Sequence, residues 1–187
     1  MSESLESWPI VETRELVNCR VLRIEENLAR SPRNGVVYPF VVLRCPAWVN
    51  VIAIDCEGRW IMVRQYRQAI SDFTIEIPGG MVDAGEDPLT AARRELEEET
   101  GWTSDNWVSL GSVQPNPALQ DNRCHIFAAL DCTKLVQSSA ECDSSEDIRV
   151  EYKTRAEILA MVRSGEISHS LVISAIWFYC EKFEDPR

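Results

Sequence analysis

Residues 79–102 read GGMVDAGEDPLTAARRELEEETGW, and this stretch is the most informative part of the chain. Asp87 followed by Pro88 is typical of a helix start, because the aspartate side chain can cap the first turn and proline is tolerated at the first helical position. Gly101 supplies a C-terminal stop. The pattern predicts a helix over about 88–99, with leucine and alanine recurring on one narrow face toward the core.

Three carboxylates of this helix, Glu95, Glu98 and Glu99, are spaced i, i+3 and i+4, so we expect them to share one face. Their mutual repulsion costs free energy unless a cation lies among them. Hard carboxylate oxygens without histidine or cysteine favour Mg²⁺, with Mn²⁺ possible, over Zn²⁺. The simpler alternative is a solvated surface helix in which Arg94 and Glu98 form an i,i+4 pair. Glu97 is expected to point away from the cluster.

Short β-branched runs separated by polar turns surround this helix and predict strands. The predicted strands are 36–43, 49–55, 60–65, 74–77, 107–113, 124–130 and 148–152. The turn at 56–59 is expected to close a hairpin, and Pro78-Gly79-Gly80 is expected to break the sheet pattern. Apolar periodicity predicts further helices at 155–162 and 168–182. Strands mixed with few helices indicate an α/β or α+β sandwich on a mixed sheet.

The composition sets limits on the class of protein. The chain has 187 residues with 45% hydrophobic and 26% charged side chains, which is typical of one globular domain. No apolar run approaches the roughly 18 residues that span a bilayer, so no membrane partner is expected. The net charge of -11 disfavours an electrostatic grip on nucleic acid. The polar N-terminus and seven scattered cysteines, expected to be reduced and mostly buried, predict a cytoplasmic protein.

The spacing within 80–102 is more specific than a charge run. Gly80, then five residues, Glu86, then seven residues, and Arg94-Glu95-Leu96-x-Glu98-Glu99-x-Gly101-Trp102 resemble the signature of the Nudix hydrolases. The resemblance implies a Nudix-type α/β/α sandwich over 1–187, with 1–35 as an N-terminal extension. It also implies a metal-dependent hydrolase acting on a nucleoside diphosphate linked to another moiety.

The same resemblance implies roles for individual residues. Glu95, Glu98, Glu99 and the backbone carbonyl of Gly79 would bind the metal ion. Glu98 would also be catalytic, and Arg94 would orient a catalytic glutamate.

Features outside the signature resemble ADP-ribose and nucleoside diphosphate sugar pyrophosphatases. The stretch from Arg64 to Arg67, followed by Glu-Ile-Pro-Gly-Gly at 76–80, implies that Arg67 contacts substrate and makes Arg64 a second candidate. Pro117 lies at the distance from the signature that marks the ADP-ribose subclass, although Pro115 is close by. The segment 145–150 resembles the loop that supplies the catalytic base, with Glu146 at the matching position. Other acids between Glu141 and Glu151 are alternatives for that base.

Aromatic residues of this subclass stack on the nucleobase, in some members across a swapped homodimer. Trp48 and Trp8 are candidates for that stacking, and the extension 1–35 is a candidate for dimerisation. The resemblance therefore predicts a homodimeric pyrophosphatase that converts ADP-ribose, or another nucleoside diphosphate sugar, to a nucleoside monophosphate and a sugar phosphate. The alternatives are a Nudix hydrolase for oxidised nucleoside triphosphates, dinucleoside polyphosphates or coenzyme A, and a non-catalytic nucleotide-binding module.

Overall fold

The structure is a computed structural model that describes residues 5–135 and 147–183. The chain divides into two compact units. One consists of Met1–Pro46 and Gln114–Asn122, and the other of Ala47–Val113 and Arg123–Arg187. The assignment of one domain over 1–187 with an extension over 1–35 stays a prediction.

The first unit is built on a three-stranded antiparallel sheet in the order β1-β2-β3. Its strands are β1 (Ile10–Asn18), β2 (Arg23–Arg30) and β3 (Val37–Arg44). Only β3 was predicted, because β1 and β2 carry many charged side chains and lack a clean apolar alternation. The segment 114–122 is attached to this unit at the end of β3, where the Leu43 amide donates to the Leu119 carbonyl at 2.7 Å.

The second unit contains an eight-stranded mixed sheet within the described residues. The main path runs β11-β5-β4-β10-β8, and β6, β7 and β9 pair with β5, β4 and β10. The β4–β10 pair is parallel and the other pairs are antiparallel. The strand bounds are β4 (Trp48–Asp55), β5 (Trp60–Arg67), β6 (Asp72–Glu76), β7 (Gly79–Met81), β8 (Trp102–Thr103), β9 (Asn106–Val113), β10 (Cys124–Lys134) and β11 (Ile148–Lys153).

Alternation along the central strand β4 divides the core of this unit into two layers. Val49, Val51 and Ala53 pack in one cluster with residues of α1 (Pro88–Thr100). Ile52 and Ile54 pack in the other cluster, with residues of α2 (Arg155–Ser164) and α3 (Ser170–Phe183). Helices therefore cover both faces of one mixed sheet, which confirms the α/β/α sandwich.

Helix α1 begins and ends where the sequence predicts. The Asp87 side chain accepts hydrogen bonds from the amides of Leu89 and Thr90 at 3.0 and 3.3 Å. Gly101 adopts the left-handed conformation with φ of 69°, and its amide donates to the Glu97 carbonyl. These caps satisfy backbone groups that an uncapped helix leaves unpaired, so the orientation of α1 is fixed locally.

Two further details differ from the sequence predictions. Gly79–Met81 does not interrupt the sheet but forms the short strand β7, because its backbone pairs with β4. The described cysteines are unbridged, as expected, but they are not mostly buried: only Cys124 and Cys132 are. Within 5–135 and 147–183, no helix has the length and apolar character required to cross a membrane.

Candidate active site

Strand β7 brings the first residues of the signature alongside its helix. Gly79 pairs with Asn50 of β4, and its amide donates to Oε2 of Glu99 at 2.9 Å. Glu99 is only 8% exposed although it belongs to a charged helix. The buried carboxylate therefore holds α1 against the glycine strand.

The two glycines leave room for this arrangement. A Cβ at Gly79 would overlap the backbone carbonyl of Val49 and lie 2.7 Å from Oδ1 of Asn50. A Cβ at Gly80 would overlap the carboxylate of Glu95. Glycine is needed at both positions because of these close approaches.

Arg94 connects the acidic side chains of the site. Its Nε and Nη2 donate to the two carboxylate oxygens of Glu86 at 3.1 and 3.0 Å. Its Nη1 donates to Glu95 at 2.8 Å and to Glu98 at 3.1 Å, and Nη2 also donates to the Met81 carbonyl at 3.0 Å. These hydrogen bonds lower the pKa of Glu86, whereas the same contacts raise the pKa of Arg94. Arg94 thus makes the predicted surface pair with Glu98 and also links three carboxylates.

The donor chemistry of the α1 face fits a hard divalent cation. Glu99 lies against Gly79 and Glu95 lies against Gly80, while Glu98 is exposed on the same helix and bonded to Arg94. Glu97 is also exposed and accepts from Thr103 Oγ1 at 2.9 Å. As the side chains lie, no three described acids, histidines or cysteines converge as a metal-binding group. Arg94 holds Glu95 and Glu98, and Gly79 holds Glu99. A shared ion would require these carboxylates to adopt other rotamers.

The two candidate substrate arginines contact different acids. Arg67 donates from Nε and Nη2 to the two oxygens of Glu76 at 2.8 and 2.9 Å. Arg64 donates to Glu151 of β11 at 2.7 Å, with Glu166 at 4.0 Å. Since side chains alternate along β5, Arg64 and Arg67 lie on opposite faces of the sheet. For both guanidinium groups to bind the same phosphate, one of the two side chains would have to move to the other face of the sheet.

The remaining candidates belong to both units. Trp48 is half-buried at the start of β4, opposite Met81 of β7. Pro117 is exposed in the first unit, in a turn closed by hydrogen bonds to the Asn116 carbonyl. Trp8 packs on Tyr38 and Phe40, with ring centroids 5.9 and 5.6 Å apart. Glu146 lies outside the described residues, so its role stays a prediction.

No sequence pattern indicated the environment of Glu76. This carboxylate is 5% exposed, and besides Arg67 it contacts Thr74 Oγ1 at 2.6 Å and His169 Nδ1 at 3.2 Å. Burial would raise the pKa of Glu76, but His169, Arg67 and Thr74 lower it well below its usual value. A lone histidine almost a hundred positions away carries no local signal for this contact, so only the fold could identify it.

This lowered pKa predicts a pH-dependent stability. The contribution of the Glu76 carboxylate is fully present above its unfolded pKa of about 4.3 and is lost as the pH falls through the folded value. We expect Glu76→Gln to reduce the free energy of unfolding by about 2 kcal/mol at pH 7. In urea titrations the difference in unfolding free energy between Glu76→Gln and the wild-type protein should become smaller below about pH 4. An equal difference in unfolding free energy at pH 7 and pH 3.5 would contradict a stabilising role of the ionised Glu76 carboxylate.

Comparison with known proteins agrees with this geometry. A family model described as the NUDIX domain matches residues 45–169. The chain is 32% identical over 145 residues to an ADP-ribose pyrophosphatase of Bacillus subtilis (strain 168), an alignment that covers 78% of each chain. It is 31% identical over 168 residues to a methanol dehydrogenase activator of Bacillus methanolicus, covering 90% of each chain. A crystal structure of an ADP compounds hydrolase superposes with a TM-score of 0.85 at 21% identity, covering 98% of this chain and 97% of that one.

The NUDIX domain match, together with the glycine strand and the carboxylate helix, identifies a hydrolase of phosphorus-containing acid anhydrides. The chain belongs to the Nudix family. Members with ADP-ribose pyrophosphatase activity generally depend on a divalent metal ion.

Proposed function

We propose that this Nudix enzyme cleaves the pyrophosphate bond of ADP-ribose or another nucleoside diphosphate sugar, with release of a nucleoside monophosphate and a sugar phosphate. The observation that carries the proposal is the contact between Gly79 and Glu99, which places a carboxylate-rich helix face against a backbone edge without side chains. The name of the Bacillus subtilis relative supports the substrate class.

Mg²⁺, with Mn²⁺ as a substitute, is the proposed cofactor, and Glu95, Glu98, Glu99 and the Gly79 carbonyl are the residues that would hold it. When bound, such an ion offsets diphosphate charge and lowers the pKa of a water nucleophile. The water oxygen bonds to one phosphorus and gives a proton to Glu146, the proposed base. The bridging P–O bond breaks, and the other phosphate leaves as part of the second product. Glu98 acts in catalysis, and Arg94 sets its position through the 3.1 Å hydrogen bond.

The other candidates contribute binding. Arg67 pairs with a phosphate oxygen, since a guanidinium matches phosphate geometry. Arg64, Trp48 and Pro117 are the further proposed substrate contacts, and Glu146 is the proposed base. The partner is thus a small nucleotide rather than nucleic acid or a membrane, and the proposed location is the cytoplasm.

A substrate panel tests this proposal. ADP-ribose, GDP-mannose, UDP-glucose, diadenosine polyphosphates, coenzyme A and 8-oxo-dGTP would be incubated with enzyme and Mg²⁺, and phosphate-containing products quantified. We expect the nucleoside diphosphate sugars to give the highest kcat/KM. Preferential turnover of a triphosphate, dinucleotide or coenzyme would overturn the substrate class. No turnover at all would favour a nucleotide-binding module.

We also propose a homodimer assembled through the first unit. Its sheet exposes apolar side chains that a partner could cover: Ile10, Val11, Leu16, Val17, Val37, Tyr38, Phe40 and Val41. An exposed apolar surface of this kind commonly marks an interface.

Sedimentation equilibrium should therefore give twice the 21.3 kDa chain mass. Phe40→Asp places a charge on this surface and should shift the equilibrium toward monomer. Cys56→Ser, at an exposed position of the second unit, is the control and should leave the mass unchanged. A monomeric wild-type protein would refute the dimer.

A further inference from the structure

Glu76 is a buried anion with more partners than a simple ion pair requires. Arg67 donates to both of its oxygens, Thr74 donates to Oε1, and His169 approaches Oε2 at 3.2 Å. A buried charge is costly unless it is paired and hydrogen-bonded. The cluster therefore fixes the carboxylate in one orientation.

Arg67 is covered only in part. Its side chain stays 43% exposed, whereas that of Glu76 is 6% exposed. The guanidinium therefore contacts Glu76 through Nε and Nη2, on a side chain that stays partly accessible to solvent. Because two of its nitrogens bond to Glu76, a shift of that carboxylate would change the orientation of the guanidinium.

His169 is well placed to fix Glu76 from a different element. It lies immediately before α3, and its carbonyl accepts the Ile173 amide at 3.1 Å, so the helix start holds its backbone. Its Nδ1 is shielded from solvent and lies off the line of an ideal hydrogen bond to Glu76. Nδ1 of His169 and Nη2 of Arg67 approach the same carboxylate oxygen, Oε2.

We propose that His169 is a positioning residue of this enzyme, which orients the Arg67 guanidinium toward a substrate phosphate by supporting Glu76. The proposal rests on the proposed function, in which Arg67 contacts a nucleoside diphosphate. In this proposal His169 acts through Glu76 and Arg67 and makes no contact of its own with substrate or metal. Its loss allows Glu76 to shift and Arg67 to follow.

A double-mutant cycle tests the proposal. Steady-state kinetics would be measured with the best panel substrate for the wild-type enzyme, His169→Phe, Arg67→Ala and the double variant. We expect His169→Phe to raise KM about three- to tenfold, with kcat within about twofold, because one polar contact to the supporting carboxylate is lost. In the Arg67→Ala background the same change should leave KM unaltered, since the effect passes through Arg67. His169→Gln, which retains a hydrogen-bonding group, should recover most of the affinity.

Other outcomes overturn the proposal. An unchanged KM in His169→Phe, or an equal rise in KM with and without Arg67, would mean that His169 has a structural role only. Thermal unfolding would then show the same loss of stability in both backgrounds. Failure of the proposed function gives a different result, because the wild-type enzyme would then prefer another panel substrate. The double-mutant cycle would in that case be measured with the preferred substrate. If nothing is turned over, both proposals fail.

Discussion

Glu98→Gln is expected to lower kcat for nucleoside diphosphate sugar hydrolysis by about 10²- to 10⁴-fold, the range typical of a lost acid–base group. Glu98 is 49% exposed on α1 and is held by Arg94. The amide keeps the shape of the side chain but loses the negative charge needed for metal binding or proton transfer. Steady-state rates at saturating Mg²⁺ measure the effect.

Glu97→Gln is the matched control. Glu97 is one position away on the same helix and is exposed like Glu98, but its partner is Thr103 and not Arg94. This variant should retain full kcat, and both variants should unfold at nearly the wild-type temperature. If Glu98→Gln kept more than a tenth of the activity, or if Glu97→Gln lost as much, the assignment of the catalytic face would be wrong.

Gly79→Ala is expected to destabilise the protein by about 3 kcal/mol, in the upper range for overpacked core substitutions. The added Cβ would overlap the Val49 carbonyl and lie 3.2 Å from the Asn50 Cα, and backbone atoms cannot rotate away as a side chain can. Separation of β7 from β4 would also weaken the Gly79–Glu99 contact. Chemical denaturation should therefore show a lower free energy of unfolding, and kcat should fall as well.

Gly58→Ala separates this effect from a general cost of replacing glycine. Gly58 lies in the β4–β5 turn with φ of 78°, and no atom lies within 4 Å of the position that an added Cβ would take, so its cost is conformational only. We expect about 1 kcal/mol of destabilisation and unchanged activity. Equal losses of stability and activity in the two variants would show that steric overlap at Gly79 is not the cause.

Local patterns predicted the elements whose signals lie within a few residues. The Asp87 cap and Gly101 stop define α1, and alternation predicts β4 and β5, because capping and side-chain periodicity are short-range properties. β1 and β2 were missed because their pairing, rather than their composition, makes them strands. The short strand β7 was missed because the two glycines in it resemble a breaker until β4 is placed beside them.

In the candidate site, too, some features follow from local sequence and others depend on long-range contacts. The spacing of Glu95, Glu98 and Glu99 follows from helix geometry, and the signature around it identified the family. The alternation along β5 already places Arg64 and Arg67 on opposite faces of the sheet. Only the neighbouring strands show that their partners are Glu151 and Glu76. The sequence by itself determined the chemistry available: a capped helix with carboxylates at fixed intervals beside two glycines. Only the tertiary structure decided which distant groups those side chains meet, because His169 reaches Glu76 through the placement of α3, a long-range packing outcome.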